Sequence, residues 1–333
     1  MDVDAFAAAH REQWSRLDAL TKKRSLTGAE AEELVDLYQR TATQLSLVQS
    51  STDDPYLVGY LTRLVATARS RVTGANPPSW RSVALFFVAL FPAAVYRARW
   101  WWIWSGLAFT VVACAAGWWV AADPSVQAAL APPEDVQQLV EEDFAEYYSS
   151  EAASAFAARV WTNNAWVAAM ALVAGAMFCL PAVYVLGTNA VNVGIVGGLM
   201  VANGRADVFF GLLTPHGLLE LTAVFVAAGA GIRLGWQLID PGPTTRAEAF
   251  AREGRAAVSI ALGLVVVLAV SGVIEAFVTP SGLPTWARIG IGALAWLGFL
   301  AYVWVYGGRA ARAGFTGDVV GAASRTASAP VSG

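Results

Sequence analysis

The sequence predicts an all-α fold: a polytopic transmembrane helical bundle of about six spans with an N-terminal cytoplasmic helical domain. Three observations predict it. Hydrophobic residues make up 56% of the 333 residues, and charged residues only 14%. The apolar residues fall in runs of about 20, the length a helix needs to cross a hydrocarbon core of about 30 Å. Tryptophans gather at the ends of such runs, where an interfacial aromatic belt belongs. The net charge of −3 is near neutral and points to no nucleic-acid partner.

Residues 1–76 read as a cytoplasmic helical bundle. Met1 to His10 has neither a basic n-region nor an apolar h-region, so it is no signal peptide. Phe6, Trp14, Leu17 and Leu20 recur at helical spacing. Thr27 followed by Glu30 is a capping-box signature that opens a second helix bearing Leu34, Tyr38, Thr41, Leu45 and Val48. Asp53-Asp54-Pro55 starts a third, with Leu57, Leu61, Leu64 and Val72 on one face, and Gly74 with Asn76-Pro77-Pro78 ends it. Charges of both signs interleave, as on a solvated face.

Residues 79–99 read as an interfacial helix at the inner membrane face. Val83 to Val95 is too short to span, and Trp80, Arg81, Arg97 and Arg99 flank it as anchors. The transmembrane domain then covers 100–308, with spans at about 100–122, 163–186, 189–203, 216–237, 257–278 and 289–306. Trp100, Trp101, Trp102 and Trp104 mark the inner end of the first span, and Trp118 and Trp119 its outer end. The loop 123–161 is acidic, with Glu134, Asp135, Glu141, Glu142, Asp143, Glu146 and Glu151 against Arg159 alone, and is placed outside. Val136 to Phe156 is expected to form amphipathic helices on the outer surface. Gly187, Gly194, Gly197 and Gly198 make the third segment a close-packing helix or a re-entrant element. Cys114 and Cys179 sit at different depths and read as packing residues rather than a disulfide. The tail 314–333 is small, polar and expected to be disordered.

Six spans put both termini in the cytoplasm. The loop bearing Arg246, Arg252 and Arg255 is then inside too, and so are Arg309 and Arg312. Five spans would turn these arginines outward, against the positive-inside rule.

This topology gathers polar groups at one level. Thr214-Pro215-His216-Gly217-Leu218-Leu219-Glu220 opens the fourth span, with His216 and Glu220 on one helix face. Glu275 lies near the outer end of the fifth span, and Asn163 and Asn164 open the second beside Arg159. Such groups are costly in hydrocarbon and face protein or a water-filled cavity. Three readings stay open. The groups hydrogen-bond to fix helix packing; or they line a polar cavity for a substrate, lipid headgroup or proton; or His216, Glu220 and Glu275 ligate a metal. Against the metal stands the lack of a His-Glu-x-x-His pattern. Asn189, Asn192 and Arg233 are inner-side candidates, whose simplest role is capping and interface anchoring. No phosphate loop, nucleophile elbow, CxxC pair or dinucleotide fingerprint occurs, so the sequence calls for no cofactor and shows no catalytic motif.

Several of these residues also carry a family resemblance. Trp14, Leu37-Tyr38, Phe91-Pro92, Arg97, Asn163-Asn164, Gly187-Thr188-Asn189, Gly194, Pro215-His216-Gly217 with Glu220, and Gly272 to Pro280 resemble the stage II sporulation protein M family of bacterial integral membrane proteins. The resemblance runs from Phe6 to about Arg312. It implies a multi-pass protein of the bacterial plasma membrane, similar to a scaffold that recruits peptidoglycan hydrolases. The function expected is an integral membrane scaffold that assembles envelope or cell-wall-remodelling partners, such as cell-wall hydrolases or other membrane proteins, with self-association left open. A transporter or lipid-handling protein with a polar cavity at the outer leaflet is the alternative, and a membrane-embedded metalloenzyme the third reading.

Overall fold

The computed structural model describes residues 3–23, 25–51, 54–72, 80–140 and 153–318. Every regular element among these residues is helical, as the composition predicts. The helix stop expected at Gly74 to Pro78, the acidic residues 141–152 and the tail 319–333 lie outside the described residues. The chain divides into two compact units, Met1–Val83 and Ala84–Gly333.

The first unit contains α1 (Val3–Lys22), α2 (Gly28–Ser51) and α3 (Pro55–Val72). The expected capping box opens α2. Glu30 N–H donates to Thr27 Oγ1 at 3.3 Å, and Thr27 N–H donates back to Glu30 Oε2 at 3.1 Å. Asp54 Oδ1 caps α3 by accepting from the Tyr56 N–H at 2.9 Å. Trp14, Leu17, Leu20, Leu34, Leu37, Val48, Leu61, Leu64 and Ala68 close one apolar core. The Trp14 indole N–H, which would be an orphan there, donates to Gln44 Oε1 at 2.7 Å. Arg16–Glu33 (2.6 Å) and Lys23–Glu30 (2.5 Å) tie α1 and the turn after it to α2.

Nine further helices follow among the described residues. They are α4 (Trp80–Arg97, with a π turn at Phe86–Leu90), α5 (Arg99–Ala122), α6 (Pro124–Leu130), α7 (Pro133–Gln138) and α8 (Ala153–Ala176). Next come α9 (Leu180–Ala202), α10 (Ala206–Ile239), α11 (Arg246–Val278) and α12 (Thr285–Arg312). Among the described residues six helices are long and apolar enough to cross a membrane: α4, α5, α9, α10, α11 and α12. The protein is a multi-pass membrane protein. The sequence predicts α8 in this set and places α4 at the interface. Arg159, Thr162, Asn163 and Asn164 dilute the hydropathy of α8, although it packs on α10 as closely as the others do.

Contacts fix the helix directions. Gly194 lies on Ala113 and Gly117, and Gly198 on Gly117 and Val120, so α5 and α9 run parallel. A Cβ on Gly194 would stand 2.5 Å from the Ala113 carbonyl, which is why glycine is needed where these helices meet. Gly175 lies on Gly231 and Cys179 on Gly235, so α8 parallels α10. Thr222 bonds Trp296 and Pro215 lies on Gly292, so α12 does too. Gly106 lies on Phe225 and Gly229 on Trp102, so α5 opposes α10, as does α11 through Arg233–Glu253 and Ser271–His216. Thus α5, α9 and α11 run one way, and α8, α10 and α12 the other. One end of the bundle collects Arg99, Arg252, Arg255, Arg309 and Arg312; the other carries Asp123, Glu134, Asp135 and Asp207 beside Arg159, Arg205 and Arg288. The apolar stretch of α10 is 67% buried, against 17% in α5 and α12, so α10 is the central helix.

Several expected boundaries move. The break expected near Gly187 falls at Met177–Cys179, where Phe178 and Cys179 adopt φ of 58° and 70°. The segment expected to be short is therefore a continuous 23-residue helix, about 34 Å long, and not a broken one. Helix α10 starts at Ala206, ten positions before His216, so Pro215 stands inside a helix rather than in its first turn. Helix α4 touches the arginine end: Tyr302 Oη donates to the Phe87 carbonyl, Pro92 lies on Gly307, and Ala89 and Ala93 pack with Ala310. The first residues of the expected tail are held as well. Arg255 Nε donates to Asp318 Oδ2 at 2.7 Å, and Ser259 Oγ to the Gly317 carbonyl at 2.5 Å. The start of the acidic loop also folds back, with Val136 and Val140 buried against Val120, Met200 and Phe209.

Acid should loosen the N-terminal unit. Hydrogen bonding to Lys23 holds Glu30, and hydrogen bonding to Arg16 holds Glu33, below the usual carboxylate range. A carboxylate with a lowered folded pKa adds stability above its unfolded pKa and loses it as pH falls through the folded one. Circular-dichroism melts from about pH 6 to pH 3 should show that loss in the wild type, and a Glu30→Gln/Glu33→Gln variant should show a flatter dependence.

Candidate functional site

Of the polar residues that the sequence places near one level, His216, Glu220 and Glu275 meet in the bundle interior. His216 and Glu220 project from one face of α10, about three and four turns from its start. Glu275 comes from the π turn Ile274–Val278 at the end of α11. One ligand atom from each of the three lies within 4.8 Å of the others. His216 Nε2 stands 3.8 Å from Glu275 Oε1, and these two side chains are only 4% and 5% exposed.

The helices are irregular where they carry these groups. Pro215 has no N–H to give to the preceding turn of α10. In α11 the Thr279 N–H reaches back five residues to the Ile274 carbonyl at 3.0 Å. Side chains satisfy the backbone nearby. Ser271 Oγ donates to the His216 carbonyl at 3.0 Å, and Arg288 Nη1 to the Thr279 carbonyl at 2.6 Å. Thr279 Oγ1 lies 3.3 Å from His216 Nδ1 and 3.4 Å from the Ile274 carbonyl. Gly292 lets α12 press against the Pro215 carbonyl, which a Cβ at that position would overlap. Two carboxylate atoms stay unmatched: Glu220 Oε2 and Glu275 Oε2 are buried with no hydrogen-bond partner among the described residues, and Arg288 Nε is in the same position.

The other sequence candidates stand apart from this triad. Arg159 lies on α8 and is exposed. The register set by Gly175 on Gly231 puts Asn164, half-buried, about level with Glu220, while Asn163 is exposed. Asn189 and Asn192 are not at a helix end, because α9 begins at Leu180; both fall mid-helix. Asn189 Nδ2 donates to its own helix at Val185 O (2.8 Å), and Asn192 is exposed. Arg233 is not a simple anchor: its Nη2 bonds Glu253 Oε1 at 2.9 Å, with the two side chains 15% and 11% exposed.

Sequence reasoning missed Ser271, Thr279, Arg288 and Glu253. A signal for the first two exists, since Ser271, Glu275 and Thr279 recur every four residues and so share a face. Arg288 is a charge at the mouth of an apolar run, and that alone marks it.

The Stage II sporulation protein M family model matches residues 106–280, a stretch holding His216, Glu220 and Glu275. A separate model, for a domain of unknown function (DUF8413), matches residues 4–74. The N-terminal unit thus has a family of its own, and the match to the membrane family is narrower than the resemblance from Phe6 to Arg312. Neither a curated protein nor a solved structure matches the chain.

Breaking the Arg233–Glu253 pair should be severe. Glu253→Ala leaves a mostly buried guanidinium without its partner and is expected to destabilise the bundle by about 3 kcal/mol. Thermal unfolding in detergent, read by intrinsic tryptophan fluorescence, checks this.

Proposed function

The chain belongs to the Stage II sporulation protein M family, and we propose that it is a scaffold in a bacterial plasma membrane that gathers envelope partners, cell-wall hydrolases among them. One observation carries this reading. A self-contained helical unit, with its own core and its own family match, is joined to a membrane bundle that matches a different family. Such a chain presents a soluble docking module and a membrane anchor together. Exposed Tyr56 and Leu47 give the first unit apolar contact points among its charges. The arginine end of the bundle supports a cytoplasmic placement of that end and of both termini. The acidic end then faces outward, and the loop between α7 and α8 is the contact for the hydrolases.

The test keeps Val136 and Val140, which belong to the bundle core, and replaces residues 141–152 with a glycine–serine linker. Cell-wall hydrolases should co-purify with the cross-linked wild type and be lost from the inserted variant. Equal recovery from both counts against the scaffold.

A second reading, lipid handling, has an observation of its own. A groove of about 700 Å³ runs beside α5, α6 and α9, lined by apolar residues including Val112, Trp119, Leu130, Val191 and Ile195. It suits an acyl chain, and the polar triad does not line it. On this reading native mass spectrometry should find a lipid on the wild type that Val191→Trp displaces. Identical lipid retention by both proteins would rule the groove out.

A further inference from the structure

We propose that His216, Glu220 and Glu275 together hold one divalent transition-metal ion inside the bundle. Three independent features lead there. The first is the donor set: one imidazole nitrogen and two carboxylates converge within 4.8 Å. Tetrahedral zinc with bonds near 2.0–2.1 Å sets its ligand atoms about 3.3 Å apart, so side-chain shifts of about an ångström close the site. The His216–Glu275 pair, at 3.8 Å, is nearly there.

The second is the orientation of the histidine. A hydroxyl has one proton to give, and Thr279 Oγ1 lies beside the Ile274 carbonyl. Donating there, it accepts from His216 Nδ1–H. This tautomer is assigned from the hydrogen-bond network. It turns the Nε2 lone pair toward the Glu275 carboxylate, so a cation belongs between them. Holding the far ring nitrogen in this way is the usual means of aiming a metal-ligating imidazole.

The third separates a metal ion from shared protons. Protonated carboxyls would satisfy the charge but would still need hydrogen-bond partners. Glu220 Oε2 and Glu275 Oε2, both buried, have none among the described residues. A dication neutralises both carboxylates, and turning each carboxyl group brings its unmatched oxygen to the ion, at the place where Glu275 Oε1 now faces His216 Nε2. Two ionised carboxylates in an apolar bundle otherwise have no arginine or lysine in ion-pair contact among the described residues. Three protein ligands leave a fourth position open, the arrangement of zinc sites that bind water or a ligand atom. The inference does not depend on the scaffold role, and either can fail without the other.

The experiment uses the full chain, purified in mild detergent without chelator and assayed by plasma mass spectrometry, then stripped and titrated with zinc. The wild type is expected to hold about one zinc per chain, and its melting temperature to rise on the order of 5 °C with saturating zinc. His216→Ala and Glu275→Gln, still helical and monodisperse, should hold none and show no shift. Retention of the ion by these variants, or a wild type that takes up no zinc, overturns the proposal. Should both variants misfold, cobalt titration of the stripped wild type decides. Visible d–d bands that zinc abolishes support the site, and their absence refutes it.

Discussion

The constraint behind this structure is that a membrane interior offers no solvent to a polar group. Each N–H, C=O, imidazole and carboxylate placed there must find its partner within the protein. Most of the bundle meets this demand in the simplest way, with continuous helices whose apolar faces meet across small residues. Where α5 and α9 touch, Gly117, Gly194 and Gly198 bring backbone against backbone. Without a hydrophobic drive between helices in lipid, such close van der Waals contact is what holds them. Helix α10 gains most from this, since it is in contact with α5, α8, α11 and α12 at once.

The two ends of the bundle use charge differently. At the arginine end, charges are paired locally: Arg233 with Glu253, and Arg255 with Asp318. These contacts pin α10 to α11 and fasten the chain after α12, and they explain themselves as architecture. Toward the acidic end the buried groups His216, Glu220 and Glu275 converge without the same closure, leaving two carboxylate oxygens unmatched. The contrast within one bundle argues that the triad is not another structural ion pair.

How much of this the sequence discloses depends on the signal each feature leaves. The capping box at Thr27 and Glu30 is written in two residues, and the structure has it. The meeting of His216 and Glu220 with Glu275 follows from helix periodicity plus alternating helix direction, so it too is legible. The break between α8 and α9 is not, because the turn is made by Phe178 and Cys179 with positive φ, where glycine is the usual marker. Gly187 drew the expected break instead, yet it sits in an unbroken helix. Pro181, at the start of α9, is the clue that was present. Glu253 stayed hidden because an acidic residue seven positions after an arginine-bearing turn looks like ordinary surface until α10 folds back on α11.

Two backbone irregularities fall where the buried polar groups are, while other π turns lie away from them at Phe86–Leu90 and Val303–Gly307. Pro215 interrupts the ladder of α10, and a π turn distorts the end of α11, and the two defects meet at His216 and Glu275. Each defect removes or displaces backbone hydrogen bonds, and Ser271, Thr279 and Arg288 are enlisted to compensate. Glu275 within the π turn and Thr279 just after it flank the same imidazole, one facing Nε2 and the other Nδ1. A proline inside α10, a π turn in α11 and two unmatched carboxylate oxygens thus coincide at one place, and the unmatched oxygens set this π turn apart from those of α4 and α12, as expected where a structure is shaped to hold something rather than merely to stand.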